Sequence, residues 1–130
     1  MRARDIMSRP VYCLTVDAGV EEAAGLMVRC GFTALPVITG DGTLFGVVTE
    51  EDIAEARFGP DEATARLALR GIRPLVRTSA PSVPEDADVR DLVAIMVDTG
   101  CRCVPVVGER NQPVGMVSWR DVLAQLLPHA

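Results

Sequence analysis

The sequence predicts a mixed α/β (α+β) fold built from two copies of one β-α-β-β-α unit. Three observations carry that prediction. The chain matches itself when shifted by 69 residues. Each copy holds one stretch with the apolar spacing of an amphipathic helix. Short apolar runs bounded by turn residues flank that stretch. In the self-match, Asp17-Ala18 meets Asp86-Ala87, Val20 meets Val89, and Met27-Val28 meets Met96-Val97. Gly31 meets Gly100, Pro36-Val37 meets Pro105-Val106, and Gly46, Val48 and Asp52 meet Gly115, Val117 and Asp121. These identities run without a gap from residue 14 to 53 and from 83 to 122. Two copies mark a duplicated domain; a solenoid needs more.

The elements follow in order. A short apolar stretch at residues 12–16 reads as a strand. Val20, Ala23, Ala24, Met27 and Val28 then fall on one helix face, and Val89, Leu92, Val93, Met96 and Val97 repeat it. Gly31 and Gly100 stand where a helix takes a left-handed closing residue. Leu35-Pro36-Val37-Ile38 and Val104-Pro105-Val106-Val107 read as short buried strands, with proline marking a strand end or an edge. Turns at residues 39–42 and 108–111 lead into further strands at 44–48 and 114–117. A helix is expected from Glu50 and again from Trp119. Residues 61–69 read as a helix between Gly59-Pro60 and Gly71. The division is therefore residues 1–57 as the first unit, 58–73 as a connecting helix and linker, and 74–130 as the second unit.

Composition excludes several classes. Apolar residues form 48% and charged residues 24% of the chain, the balance of a globular domain with a real core. A net charge of −5 argues against a phosphate-backbone binder, and 4% aromatics leave no stacking platform for single strands, so no nucleic-acid partner is expected. The N-terminus lacks the apolar stretch of a signal peptide, and no apolar run is long enough to span a membrane. A cytoplasmic protein with reduced thiols and no membrane partner is the expectation. Cys13, Cys30, Cys101 and Cys103 do not have the spacing of a disulfide scaffold or a paired zinc site. His129 is the one histidine, so no metal set and no cysteine–histidine nucleophile is expected.

Beside these readings, the residues resemble the cystathionine-β-synthase (CBS) domain family, specifically a tandem pair, or Bateman module. The matching stretches are Arg4-Asp5-Ile6-Met7, Leu35-Pro36-Val37 and Gly46-Val47-Val48-Thr49-Glu50-Glu51-Asp52-Ile53. In the second copy they are Val104-Pro105-Val106 and Gly115-Met116-Val117-Ser118-Trp119-Arg120-Asp121-Val122. The resemblance covers nearly the whole chain. Two departures are Pro74-Leu75-Val76, where an Asp-Ile-Met would repeat, and a proline-rich stretch at 80–84. The resemblance implies two units packed about a pseudo-twofold axis, a homodimer, and an adenosyl ligand in a cleft between the units. AMP, ADP, ATP, NAD and S-adenosylmethionine are the candidate ligands, and no obligatory cofactor is implied. The resemblance also implies a regulatory module and not an enzyme, here standing alone and acting on an unknown protein partner.

Two readings stand side by side at Thr49-x-x-Asp52 and Ser118-x-x-Asp121. One is a helix capping box, in which the hydroxyl accepts from a backbone N–H of the first turn. The other, which the resemblance implies, has the hydroxyl donating to a phosphate and the carboxylate accepting from a ribose cis-diol. Thr33 and Arg102 occupy positions where the family often carries polar or basic residues. Arg120 lies beside Ser118, and arginine suits bidentate phosphate contacts. Glu50-Glu51 would repel a polyphosphate, so the second copy is the expected better site. Solvated surface charge explains Arg102 and Arg120 equally well. Tyr12 either stacks on a base or simply packs. Gly46 and Gly115 read as close packing or a bulge before they read as ligand contacts. The alternative function is a structural dimerisation module with degenerate, empty sites.

Overall fold

The computed structural model describes residues 1–128; His129 lies outside the described residues. The chain divides into two compact units. Tyr12–Ala80 forms one without interruption, called here the inserted unit. Met1–Val11 and the chain from Pro81 onward form the other, the split unit. A division at residues 57 and 73 follows the sequence repeat; the compact units divide instead after Val11 and after Ala80.

The inserted unit runs β1 (Leu14–Thr15), α2 (Val20–Cys30), β2 (Ala34–Ile38), β3 (Leu44–Thr49), α3 (Glu50–Phe58) and α4 (Glu62–Ala68). A 3₁₀ turn at Arg73–Leu75 follows. The split unit opens with α1 (Ala3–Ile6). After the inserted unit it resumes as β4 (Val83–Pro84), α5 (Val89–Thr99), β5 (Cys103–Val107), β6 (Pro113–Ser118) and α6 (Trp119–Ala124). Each unit thus carries the expected β-α-β-β-α series. Its sheet has the later apolar strands as an antiparallel pair and the short first strand added in parallel, in the orders β1-β2-β3 and β4-β5-β6.

Local chemistry accounts for the boundaries. Gly31 closes α2 at φ 72° and its N–H donates to the Met27 carbonyl; Gly100 closes α5 at φ 74° and donates to Met96. Asp61 caps α4, accepting from the backbone N–H groups of Ala63 and Thr64. The first strand is shorter than the expected 12–16 stretch, since only Leu14 and Thr15 pair with β2.

Pro36 and Pro105 do not sit at strand ends or edges. Pro36 and Pro105 are fully buried within the central strands. Pro36 faces Val47, and Val47 directs both its N–H and its carbonyl outward to Arg77 (3.2 and 2.8 Å). The Pro36–Val47 pair is therefore a non-hydrogen-bonded one, and the Pro36 nitrogen points toward the β1 side. There β1 has not begun, because it pairs only with Val37 and Ile38. Pro105 opposite Met116 repeats this with Ser8 as the outer partner (2.8 and 3.2 Å). The missing donor is lost where no acceptor waits.

Each unit has its own core. Leu14, Ala23, Met27, Leu35, Val37, Val48, Ile53, Ile72 and Leu75 pack together in the inserted unit. Ala3, Ile6, Met7, Val83, Leu92, Met96, Val104, Val106 and Val117 do so in the split unit. The 69-residue shift pairs Ala3 with Ile72 and Ile6 with Leu75, so each core is closed by an equivalent short segment. The predicted helix stripes are narrower than their spacing suggests. Met27 and Met96 are buried, but Val28 is 83% and Val97 65% exposed.

Candidate functional site

Thr49 and Ser118 end the long outer strands and cap α3 and α6. In both, the hydroxyl accepts from the aspartate N–H three residues on, and the carboxylate accepts from the cap residue's own N–H. These are complete capping boxes. The strand-to-helix junction is further tied by the residue before the inner strand. The Glu50 N–H donates to the Thr33 carbonyl (2.9 Å), and the Trp119 N–H to the Arg102 carbonyl (3.3 Å). Thr33, Thr49 and Asp52 thus converge in the inserted unit, and Arg102, Ser118 and Asp121 in the split unit. The side chains of Arg102 and Arg120 are solvent exposed. Tyr12 is half exposed and its ring packs at 5.5 Å on Phe32, the neighbour of Thr33.

The two carboxylates differ in what else holds them. Asp52 receives a forked contact from Arg77, with Nε at 2.9 Å from Oδ2 and Nη2 at 2.8 Å from Oδ1. It also accepts from the Thr49 N–H (3.1 Å) and hydroxyl (2.8 Å). Burial raises the Asp52 carboxyl, but the hydrogen bonds from Arg77 and Thr49 more than offset it and hold the group below the ordinary carboxylate value. Asp121 accepts instead from the Ser118 N–H (2.8 Å) and hydroxyl (3.2 Å), and from the Ser8 hydroxyl (2.8 Å).

Ser8 and Arg77 are residues that sequence reasoning missed. They lie 69 positions apart, so the repeat comparison, carried back past Leu14, pairs them directly. Each is pinned to the outer strand by the two-bond bridge described above. That crossing needs the glycines. A Cβ at Gly46 would stand 2.6 Å from the Arg77 carbonyl oxygen, and one at Gly115 would stand 2.5 Å from the Met7 sulfur. Gly46 and Gly115 are therefore close-packing positions, each beside a register shift.

A groove of about 520 Å³ lies between α2 and α3 of the inserted unit, lined by Val20, Met27, Val28, Phe32, Ile53 and Phe58 among others. Its floor is apolar and carries none of the site carboxylates. Among the described residues, no group of three His, Cys, Asp or Glu side chains could hold a metal ion, and the four cysteines form no disulfide. Burial pushes the Cys13 thiol above its ordinary value, which disfavours a reactive thiolate there. No described helix is long and apolar enough to cross a membrane.

Comparison with known proteins agrees with this architecture. Hypoxic response protein 1 of Mycobacterium tuberculosis is 32% identical over 98% of this chain and 87% of its own length. The CBS domain pair of protein MJ0100, solved with 5′-methylthioadenosine and S-adenosyl-L-methionine, superposes with a TM-score of 0.83. It is 24% identical, and the match covers 97% of this chain and 95% of that one. CBSX2, solved in complex with AMP, gives a TM-score of 0.85 at 23% identity, over 96% of this chain and 95% of its own. At these identities the two structures speak for the fold. The CBS domain model matches residues 3–59 and 72–128, and the chain belongs to the CBS domain family as a tandem pair.

Proposed function

We propose that this chain is a regulatory module whose signal is an adenosyl ligand, held through its ribose by the carboxylate of Asp121. The observation that carries the reading is the state of that carboxylate. It is fixed one turn into a helix by the Ser118 cap, and among the described residues its outer oxygen accepts from the Ser8 hydroxyl alone. A fixed carboxylate with open acceptor capacity suits a vicinal diol. The exposed Arg102 and Arg120 offer donors for a phosphate. The adenosyl ligands bound by MJ0100 and CBSX2 support the same ligand class. Thr49, Asp52, Thr33 and Tyr12 form the corresponding set of the first repeat. Such a module regulates and does not catalyse, and its output reaches a partner protein through whatever difference in affinity the ligand has for its states.

The test is a thermal-shift panel of AMP, ADP, ATP, NAD and S-adenosylmethionine, with GTP as control. Ligand at a hundred times its dissociation constant stabilises by about 2.7 kcal/mol, a shift of several degrees. The shift is expected to disappear in Asp121→Ala. A flat panel at millimolar ligand refutes the reading.

A homodimer belongs to the same proposal. Val28 and Phe58 are 83% and 88% exposed, and the 69-residue shift places Val97 and Leu127, 65% and 66% exposed, at the same positions of the second repeat. An apolar face conserved through the internal repeat is one that a second copy covers. Phe58→Glu with Leu127→Glu is expected to yield monomer by sedimentation. An unchanged mass refutes it. A dimer with a flat ligand panel would favour the structural module.

A further inference from the structure

We propose that Arg77 closes the first repeat to ribose-bearing ligands, so that the module takes one such ligand per chain, at Asp121. This rests on the adenosyl reading above and adds to it which carboxylate is open and which side chain decides. Asp52 has no acceptor capacity left. Its Oδ1 receives Arg77 Nη2 at 2.8 Å and Nε at 3.3 Å; its Oδ2 receives Arg77 Nε at 2.9 Å, the Thr49 hydroxyl at 2.8 Å and the Thr49 N–H at 3.1 Å. Four donor groups, one of them shared between both oxygens, already occupy the roughly four lone-pair directions of a carboxylate. A diol reaches Asp52 only by expelling a planar, charged fork that fits the carboxylate edge on edge, and two neutral hydroxyls do not replace that.

Asp121 is built differently on the same frame. The Ser118 cap occupies Oδ2, and among the described residues Oδ1 accepts a single bond, from Ser8. That donor is neutral, and its hydroxyl accepts as well as donates. A ribose hydroxyl therefore bonds beside it or displaces it at little cost. The backbone is no part of the difference. Ser8 is bridged to Met116 and Arg77 to Val47 by the same pair of hydrogen bonds. One side chain on an equivalent main chain, serine in one repeat and arginine in the other, separates an open carboxylate from a closed one.

The experiment is calorimetric titration of the full chain with AMP and with S-adenosylmethionine, and with 2′-deoxy-AMP to isolate the diol. Wild type is expected to bind one ligand per chain, with the event lost in Asp121→Ala and weakened for the deoxy analogue. Arg77→Ser, which copies the other repeat, is expected to bind two. The new event should be about tenfold or more tighter than any residual first-repeat binding in wild type, the scale of one charge-assisted contact, and absent from Arg77→Ser with Asp52→Ala. Arg77→Gln keeps the stem without the charge and gives the same count should the serine variant fold poorly. Ser8→Arg is expected to abolish the wild-type event. Two ligands on wild type, or one on both Arg77 variants, overturns the closure and leaves the adenosyl reading intact. Loss of a binding event on Arg77→Ser would make Arg77 a ligand contact and also overturn it. No binding of either ligand to any of the chains overturns the adenosyl reading and the closure together.

Discussion

Alanine at Gly46 and alanine at Gly115 are the same substitution at equivalent positions, and the structure predicts different costs. At Gly46 the added methyl would stand 2.6 Å from the Arg77 carbonyl oxygen, 2.6 Å from Val76 Cγ1 and 2.9 Å from the Arg77 carbonyl carbon. Two of those atoms are backbone, so the crossing segment must lift by several tenths of an ångström. Lifting it strains both bonds of the Val47–Arg77 bridge, at about 0.5–1.5 kcal/mol each. Overpacking adds about 1–3 kcal/mol. The stiffer unfolded chain returns about 0.4–1 kcal/mol. The net is a loss of about 1–6 kcal/mol, centred near 3 kcal/mol. At Gly115 the nearest atoms are Met7 Sδ at 2.5 Å, Cγ at 2.8 Å and Cβ at 3.1 Å. These belong to a flexible side chain that can turn aside, and the expected loss is about 1 kcal/mol. Urea denaturation followed by circular dichroism reads both. Equal costs, or a loss below about 0.5 kcal/mol at Gly46, would refute the argument that backbone proximity sets the difference.

Three further outcomes follow from the same geometry. Asp52 is held below its unfolded value, so its contribution to stability is present above about pH 4 and disappears as pH falls through the folded value; the melting difference between wild type and Arg77→Gln should therefore shrink in acid, and a difference constant down to about pH 2 would contradict it. Thr49→Ala and Ser118→Ala each remove a capping hydroxyl and should lower stability by about 1 kcal/mol in urea titrations, with no loss at either position refuting the capping role. Leu92→Ala empties a fully buried position and should cost about 2–5 kcal/mol, whereas Val28→Ala, at 83% exposure, should stay within about 0.5 kcal/mol in a monomeric background.

Much of the fold was legible because its signals are local or repeated. The glycines closing α2 and α5 and the threonine and serine caps each act within a few residues of where they are read, and the 69-residue shift shows each of them twice. Proline misled for a definite reason. Strand membership depends on which side of the strand the nitrogen faces, and the two-residue β1 makes no strand pair with Pro36 on that side. The helix stripes misled at Val28 and Val97, since an apolar spacing does not say whether the sheet or another surface meets each residue. Of the site, the capping pairs were legible and the partners of the carboxylates were not. Arg77 reaches Asp52 across 25 residues and Ser8 reaches Asp121 across 113. Such pairings leave no periodicity. The shift that equates Ser8 with Arg77 was the available signal, and it lies outside the stretch where identities cluster.

The division of the chain also fixes an order in time and under load. Tyr12–Ala80 is bracketed on both sides by pieces of the split unit. During synthesis the inserted unit has all its strands and its closing segment once Ala80 has emerged. Residues 1–11 must wait for Pro81 and beyond before they gain their partners. Tension applied through the opening segment and the last helix falls first on the split unit, where Ser8 is bridged to Met116 and Ala3 is bonded to Ala87. The inserted unit is mechanically sheltered until those contacts give way. A protein-unfolding machine pulling from either end of the described chain should therefore meet two events in a fixed sequence, with the Asp121 half opening before the Asp52 half.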